Sequence, residues 1–325
     1  MRLAAAFLLL FPALASAQAW LPFRGEGSLS LIGQHIRLSG HFDTDGSRLP
    51  ECAPSSAWVG IAQFEYGLTN RLAFSAQLPY VASRYTASSD EPCTAELIEL
   101  HHQFQQQSPH ADLTSLDTGS YYATLQDLGF AIRYNLFDRG VAVTPVVGVT
   151  IPSHDYRTVG EAAPGQNRLA LHTGINVGRL LDPLIPGAYV HAQYTYSFVQ
   201  SLLDIPLDRS NAEFEVGYAV RPTVVVRGLA AWQQTHGGLP YPEVVERAFG
   251  TANQPGDPEL FLDHDRLLAT RYWQVGGGAT VTLTESLDLS GAVLTFVSGA
   301  DSHYGHGVSL GLTWKIVPSA KSPFP

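Results

Sequence analysis

The chain has 325 residues, of which only 15% are charged, and a net charge of −10. That balance excludes a basic nucleic-acid-binding surface, and beyond the N-terminus no apolar run approaches the roughly 20 residues that a membrane helix needs. Aromatic residues make up 10% of the chain and there are 30 glycines, a composition that suits strands better than helices.

Met1-Arg2 supplies one positive charge, Ala4 to Leu14 is apolar, and Ala15-Ser16-Ala17 has the small residues a signal peptidase accepts. Residues 1–17 therefore read as a cleavable secretory signal, and 18–325 as one exported domain. Strands are predicted near 26–37, 56–66, 71–83, 121–136, 141–151, 167–180, 187–199, 209–220, 223–235, 267–283, 286–298 and 305–317. The signal is alternation. In Asn211 to Val220, Ala212, Phe214, Val216, Tyr218 and Val220 share one face, with Asn211, Glu213, Glu215, Gly217 and Ala219 on the other. Strand geometry has period two, so such a segment is apolar on one side and polar or small on the other. Leu72 to Tyr80, Gln126 to Leu136, Tyr189 to Phe198 and Val308 to Lys315 split in the same way.

Alternation alone fits a soluble sandwich or a membrane barrel, because only the wet face differs. The connections separate the two. Those at 67–70, 137–140, 181–186, 220–222 and 284–285 are short. Those at 38–55, 84–120, 152–166, 200–208, 236–266 and 299–304 are mostly long. Short turns on one side, long loops on the other and an even strand count are the layout of an outer-membrane barrel. The predicted fold is an all-β, antiparallel, up-and-down transmembrane barrel of about twelve strands. Lipid leaves no partner for an open edge, so the first and last strands must pair. Tyr66, Tyr80, Tyr134, Phe137, Phe198, Tyr218, Trp232 and Trp314 are candidates for the interfacial girdles.

The polar face supplies the expected pore lining: Gln63, Glu65, Arg71, Gln77, Asp127, Arg133, Asn135, His172, Asn176, His191, Gln193, Glu213, Glu215, Arg227, Asp288 and Lys315. Acids and bases are mixed there, which predicts a salt-bridged network and not a ring of one sign. Cys52 and Cys93 fall in long loops on the same side, and an exported chain with two cysteines favours a disulfide between them. Within 84–120, Ala95 to Gln107 reads as a short helix that either folds over the mouth or packs on neighbouring loops. A second short candidate lies near Val244 to Phe249.

Catalytic and metal signals are weak. His101-His102, Asp263-His264-Asp265, His303 and His306 sit in or beside long loops, without the spacing of a metal site. Ser153-His154-Asp155 has the residue types of a hydrolase, but sequence neighbours diverge along a strand end and a triad must converge in space. Gly276-Gly277-Gly278 lies in a predicted strand, where glycine marks a bend or a bulge at a barrel wall. The reading is of a protein that is not an enzyme, holds no cofactor and no metal, and meets outer-membrane lipid and small solutes. Its oligomeric state is left open.

Several segments resemble the transporter-like β-barrel family of the phenol meta-pathway. Tyr66-Gly67-Leu68-Thr69-Asn70-Arg71-Leu72 followed by Leu78-Pro79-Tyr80 is similar to that family's hairpin. Gln126 to Tyr134, Pro145 to Pro152, and Glu213 to Tyr218 with Arg227-Gly228-Leu229 are similar to later strands. The chain departs at Ser153-His154, where the family carries a small residue and Gly, and at its end, which runs past Trp314 to Phe324-Pro325. The resemblance implies outer-membrane uptake of aromatic or other apolar compounds in a Gram-negative bacterium. Passive passage of small solutes is the leading expectation. A rim hydrolase of lipids or esters and an adhesion barrel with partner-binding loops are the alternatives.

Overall fold

The computed structural model describes residues 19–85, 116, 119–160, 162–251, 254–257, 260 and 263–317. The meander opens with β1 (Gly27–Phe42), β2 (Arg48–Thr69), β3 (Leu72–Arg84), β4 (Tyr122–Leu125) and β5 (Leu128–Tyr134). It continues with β6 (Ala142–Ile151), β7 (Ala170–Leu180), β8 (Ala188–Val199), β9 (Leu207–Arg221) and β10 (Val224–Gly237). Helix α1 (Tyr241–Phe249), the two-residue strands β11 (Gly250–Thr251) and β12 (Gln254–Pro255), and helix α2 (His264–Leu267) occupy the next connection. Strands β13 (Arg271–Thr284), β14 (Leu287–Ala300) and β15 (Ser302–Ile316) complete the wall.

Both β4 and β5 pair with β3, so they are halves of one strand interrupted at Gln126-Asp127. Counted that way, the wall has twelve strands, every neighbouring pair antiparallel. It closes where β1 pairs with β15 from Gly27↔Ile316 to Phe42↔Ser302. Closure satisfies each strand's backbone groups on both sides, which hydrocarbon demands.

Facing residues on paired strands share a side of the wall, and their exposure fixes which side is out. Val216 is 57% exposed and Leu310 62%, whereas Ile36, at 1%, and Asn176, at 0%, point inward. Leu31, Leu78, Ile132, Val147, Leu171, Phe214, Val275 and Val293 continue the outward apolar belt. Tyr134, Tyr218 and Trp314 ring its short-turn end, and Tyr80, Phe198 and Trp273 its long-loop end, as expected for interfacial girdles. This is the inversion that separates a membrane barrel from a soluble sandwich.

Two connections expected to be long are tight. Strands β1 and β2 run on to Phe42 and Arg48, and residues 43–47 turn between them. There the Ser47 carbonyl accepts from Asp43 N, and Asp45 Oδ1 accepts from Ser47 N. Only Asp301, at φ 47°, separates β14 from β15. The strands simply outlast the lipid-facing pattern, and beyond the bilayer alternation is no longer required. The helix expected at 95–107 and residues 1–17 lie outside the described residues. The one expected near 244–249 falls inside α1, which has Pro242 in its first turn, Glu243 beside it, Arg247 in the last turn and Gly250 at its C-cap, each suited to its end of a helix.

Candidate functional site

The interior has two unlike walls. On one, Ile32, Ile36, Leu38, Val59, Ile61, Val81, Leu294 and Phe296 form a buried apolar cluster with Tyr272. These come from β1, β2, β3, β13 and β14, and they point into the barrel. The Tyr272 and Phe296 rings meet edge to face at 5.1 Å, a favoured aromatic geometry. On the other wall, β3 to β10 present mostly polar groups, and there a cavity of about 390 Å³ remains. Its lining includes Gln63, Gln77, Asp127, His172, Gln193, Arg209, Asn211 and Gln233.

The register places most of the expected pore residues inside. Glu65, Arg133, Asn135, His172, Asn176, His191, Gln193, Glu213, Glu215, Arg227, Asp288 and Lys315 all fall on inward rows. Three ion pairs tie them. Arg133 pairs with Glu65, Arg227 Nη1 lies 3.7 Å from Glu215 Oε2, and Lys315 Nζ lies 2.8 Å from Asp288 Oδ1. Glu215 also accepts a hydrogen bond from the Tyr189 hydroxyl. His172 is fixed between two hydroxyls, with Nδ1 2.8 Å from Ser197 Oγ and Nε2 2.7 Å from Thr150 Oγ1.

Arg71 is the exception. It sits exposed in the short turn between β2 and β3, so it belongs to the rim and not to the lumen wall. Its alternation with Ser75 and Gln77 has the right parity, but the strand starts one residue later. Cys93 and the side chain of Cys52 lie outside the described residues, and so does their expected disulfide.

Most of 84–120, read as either folding over the mouth or packing on neighbouring loops, lies outside the described residues. Among the described residues the connection 152–169 folds inward. Its Ala162 and Ala163 are buried, and the Ala162 carbonyl accepts from Ser83 Oγ at 2.5 Å. Gln126 Nε2 donates to the Pro164 carbonyl at 2.6 Å, and the Tyr156 hydroxyl to Asp127 Oδ1 at 2.6 Å. Burial, and then the adjacent Asp127 carboxylate, hold the Tyr156 phenol well above its ordinary pKa, so it stays the donor. This loop is tied to the α1–α2 connection by Arg266. Its guanidinium donates to Thr158 Oγ1 at 2.6 Å, to Asp263 Oδ1 at 2.7 Å and to the Gln166 carbonyl at 2.9 Å. Beneath α1, Leu202, Leu207, Leu239, Val244, Leu260, Leu267 and Leu268 pack as a second apolar cluster. The 152–169 loop and the α1–α2 connection thus pack together at the long-loop mouth.

The short-turn mouth is crossed by the segment 19–26. It leaves β1 beside Gly67, where Gly25 N donates to the Gly67 carbonyl at 2.9 Å. It ends against β6, β7 and β8. There the carbonyl of the fully buried Ala19 accepts from Thr144 Oγ1 at 2.7 Å, and the Trp20 ring stands edge-on to Tyr189 at 6.1 Å. A Cβ on Gly178 would stand 2.7 Å from both Ala19 Cβ and the Trp20 ring, so this position must be glycine for the strap to seat.

Among the described residues, Ser153-His154-Asp155 does not assemble into a triad and no metal-ligand group converges. Ser153 Oγ does reach His154 Nδ1 at 2.9 Å, contrary to the expected divergence, because both residues lie past the end of β6 in a bend. The other nitrogen of His154 goes to Thr124 Oγ1, and Asp155 goes to Asn167, so no carboxylate orients the imidazole. His303 Nε2 lies 3.6 Å from Asp265 Oδ1, but no group of three or more potential ligands converges among the described residues.

A closed twelve-stranded antiparallel barrel with an apolar exterior, girdles and a polar lumen cavity defines an outer-membrane β-barrel. No family model matches the chain, and no curated protein matches it by sequence. Among solved structures, the COG4313 outer membrane channel from Pseudomonas putida F1 superposes with a TM-score of 0.64 at 13% identity, covering 93% of this chain and 100% of that one. The KdgM porin in complex with disordered oligogalacturonate follows at TM-score 0.43 and 7% identity, over 88% of this chain and 98% of that one. The CymD monoaromatic hydrocarbon channel is at 0.41 and 10%, over 90% and 89%. At such identities the likeness is one of fold, and the first of the three carries it.

Proposed function

We propose that the protein is an outer-membrane channel for the passive passage of small solutes. The observation that carries this reading is the 390 Å³ polar cavity enclosed by a barrel whose outer face is apolar. Eight strands would leave an interior filled by side chains, whereas twelve leave room for a path. That path follows β3 to β10, since the opposite wall is packed. The COG4313 protein, whose fold the chain shares, is itself an outer membrane channel, which supports the reading. The resemblance to the phenol meta-pathway barrels adds aromatic or other hydrophobic compounds as the solute class. Export through a signal at residues 1–17 and a Cys52–Cys93 disulfide belong to the same proposal.

Purified, refolded protein in a planar lipid bilayer tests it. Discrete conductance steps are expected, at loads where gel migration before and after boiling shows a folded barrel. A folded barrel that leaves the bilayer sealed at every load would overturn the proposal.

A further inference from the structure

The cavity carries more positive charge than its ion pairs account for. The Arg133–Glu65, Arg227–Glu215 and Lys315–Asp288 pairs neutralise themselves. Arg168, at the inner end of the 152–169 loop, and Arg209, on β9, both line the cavity. Among the described residues neither makes an ion pair or a side-chain hydrogen bond. The Nε of Arg168 is buried without a partner. Arg209 stands on the same row as Ser197 and His172, and both nitrogens of that histidine are already held by hydroxyls.

The acids nearby answer these two cations only in part. Asp127, the one carboxylate among the cavity's lining residues, attracts Arg209 while accepting from the Tyr156 hydroxyl. Asp263, which attracts Arg168, is already paired with Arg266, so two guanidiniums on the lining share one carboxylate. Asp265 faces His303 across a smaller cavity beyond Arg209. Glu213 points inward four residues further along β9 but does not line the cavity. A guanidinium out of bulk water is costly without an anion, and its planar fork matches a carboxylate with two parallel hydrogen bonds. Rows of Arg and Lys are how anion pores select. The remaining lining mixes amides such as Gln193 and Asn211 with apolar Val146 and Val199. The volume lies in the range of small-ligand pockets.

We propose that this cavity is a binding site for a small organic carboxylate, its headgroup held by Arg168 and Arg209 and its apolar body set against the Val146 and Val199 side. The proposal deepens the channel reading, on which it rests, by naming the solute class: a small organic acid in place of a neutral hydrocarbon.

Isothermal titration of the purified barrel in detergent near neutral pH, with benzoate, its neutral counterpart benzamide and the cation benzylamine, tests it. Benzoate is expected to bind about ten-fold more tightly than benzamide, the ratio one or two charge-assisted hydrogen bonds give, and benzylamine to bind least. Arg168→Gln with Arg209→Gln should erase the preference while the heat-dependent gel shift is kept. Equal binding of benzoate and benzamide by the unaltered protein overturns the proposal, as does a folded double variant that keeps the preference. The comparison on the unaltered protein decides the matter if the double variant does not fold. A protein that prefers benzoate but never conducts would sink the channel reading and leave the site. One that conducts without preferring benzoate would sink the site and leave the channel.

Discussion

The two walls of the lumen obey the same strand geometry and do opposite things. From β13 through β1 to β3 the inward rows carry Ile36, Leu38, Ile61, Leu294 and Phe296, packed in one buried apolar cluster. From β3 to β10 the inward rows carry amides, hydroxyls and ion pairs, and they leave a cavity. Apolar side chains interdigitate and expel water. Polar ones hold fixed hydrogen-bonding positions and tolerate a solvated gap. The path for a solute is set by which of these faces the centre, and not by the strand count alone.

The largest expected effect breaks the packed wall. Phe296→Ala removes a buried ring packed edge to face against Tyr272 and should cost about 3–5 kcal/mol in urea unfolding from lipid vesicles. A loss under about 1 kcal/mol would mean that this wall is not packed and the contrast is false. Next comes the polar wall. Glu215→Gln takes the carboxylate from Arg227 and Tyr189 and should cost about 1–3 kcal/mol in the same assay. A neutral result would show that the pair is already solvated. Gln193→Ala, on the cavity itself, loses a hydrogen bond to Thr195 Oγ1 and should cost only about 0.5–1.5 kcal/mol, the net worth of one neutral hydrogen bond. Smallest in stability is Gly178→Val, which unseats Trp20 from the short-turn mouth. Its effect should appear as a several-fold rise in bilayer conductance, and an unchanged conductance would mean that segment 19–26 does not limit passage.

Most of the wall was legible from the chain. Period-two alternation assigns parity, so sequence alone puts Glu213 and Glu215 on one face and Phe214 and Val216 on the other. Parity says nothing about chemistry, however, and equating the inner face with a polar face hid Ile36, Leu294 and Phe296. Arg209 shares the parity of Asn211 and Glu213, but it stands at the first residue of its predicted strand, where there is no preceding alternation to mark its face. Arg168 had no periodic signal at all. It sits in a loop whose inward fold depends on distant partners such as Gln126 and Ser83. Arg71 shows the opposite case: its alternation continues one residue past the strand into the turn, so parity alone puts it in the wall. The strap at 19–26 depends on glycine at 178 and 67, positions far away in sequence whose meaning appears only when the ring closes.

The account turns on greasy side chains meeting lipid while a hydrated space runs beside one inner wall. Single cysteines placed by Val216→Cys, Leu294→Cys and Asn211→Cys, in a Cys52→Ser, Cys93→Ser background, can be probed in sealed vesicles with a water-soluble maleimide. Labelling should be fast at 211 and absent at 216 and 294. Rapid labelling at 216 with protection at 211 would contradict it outright.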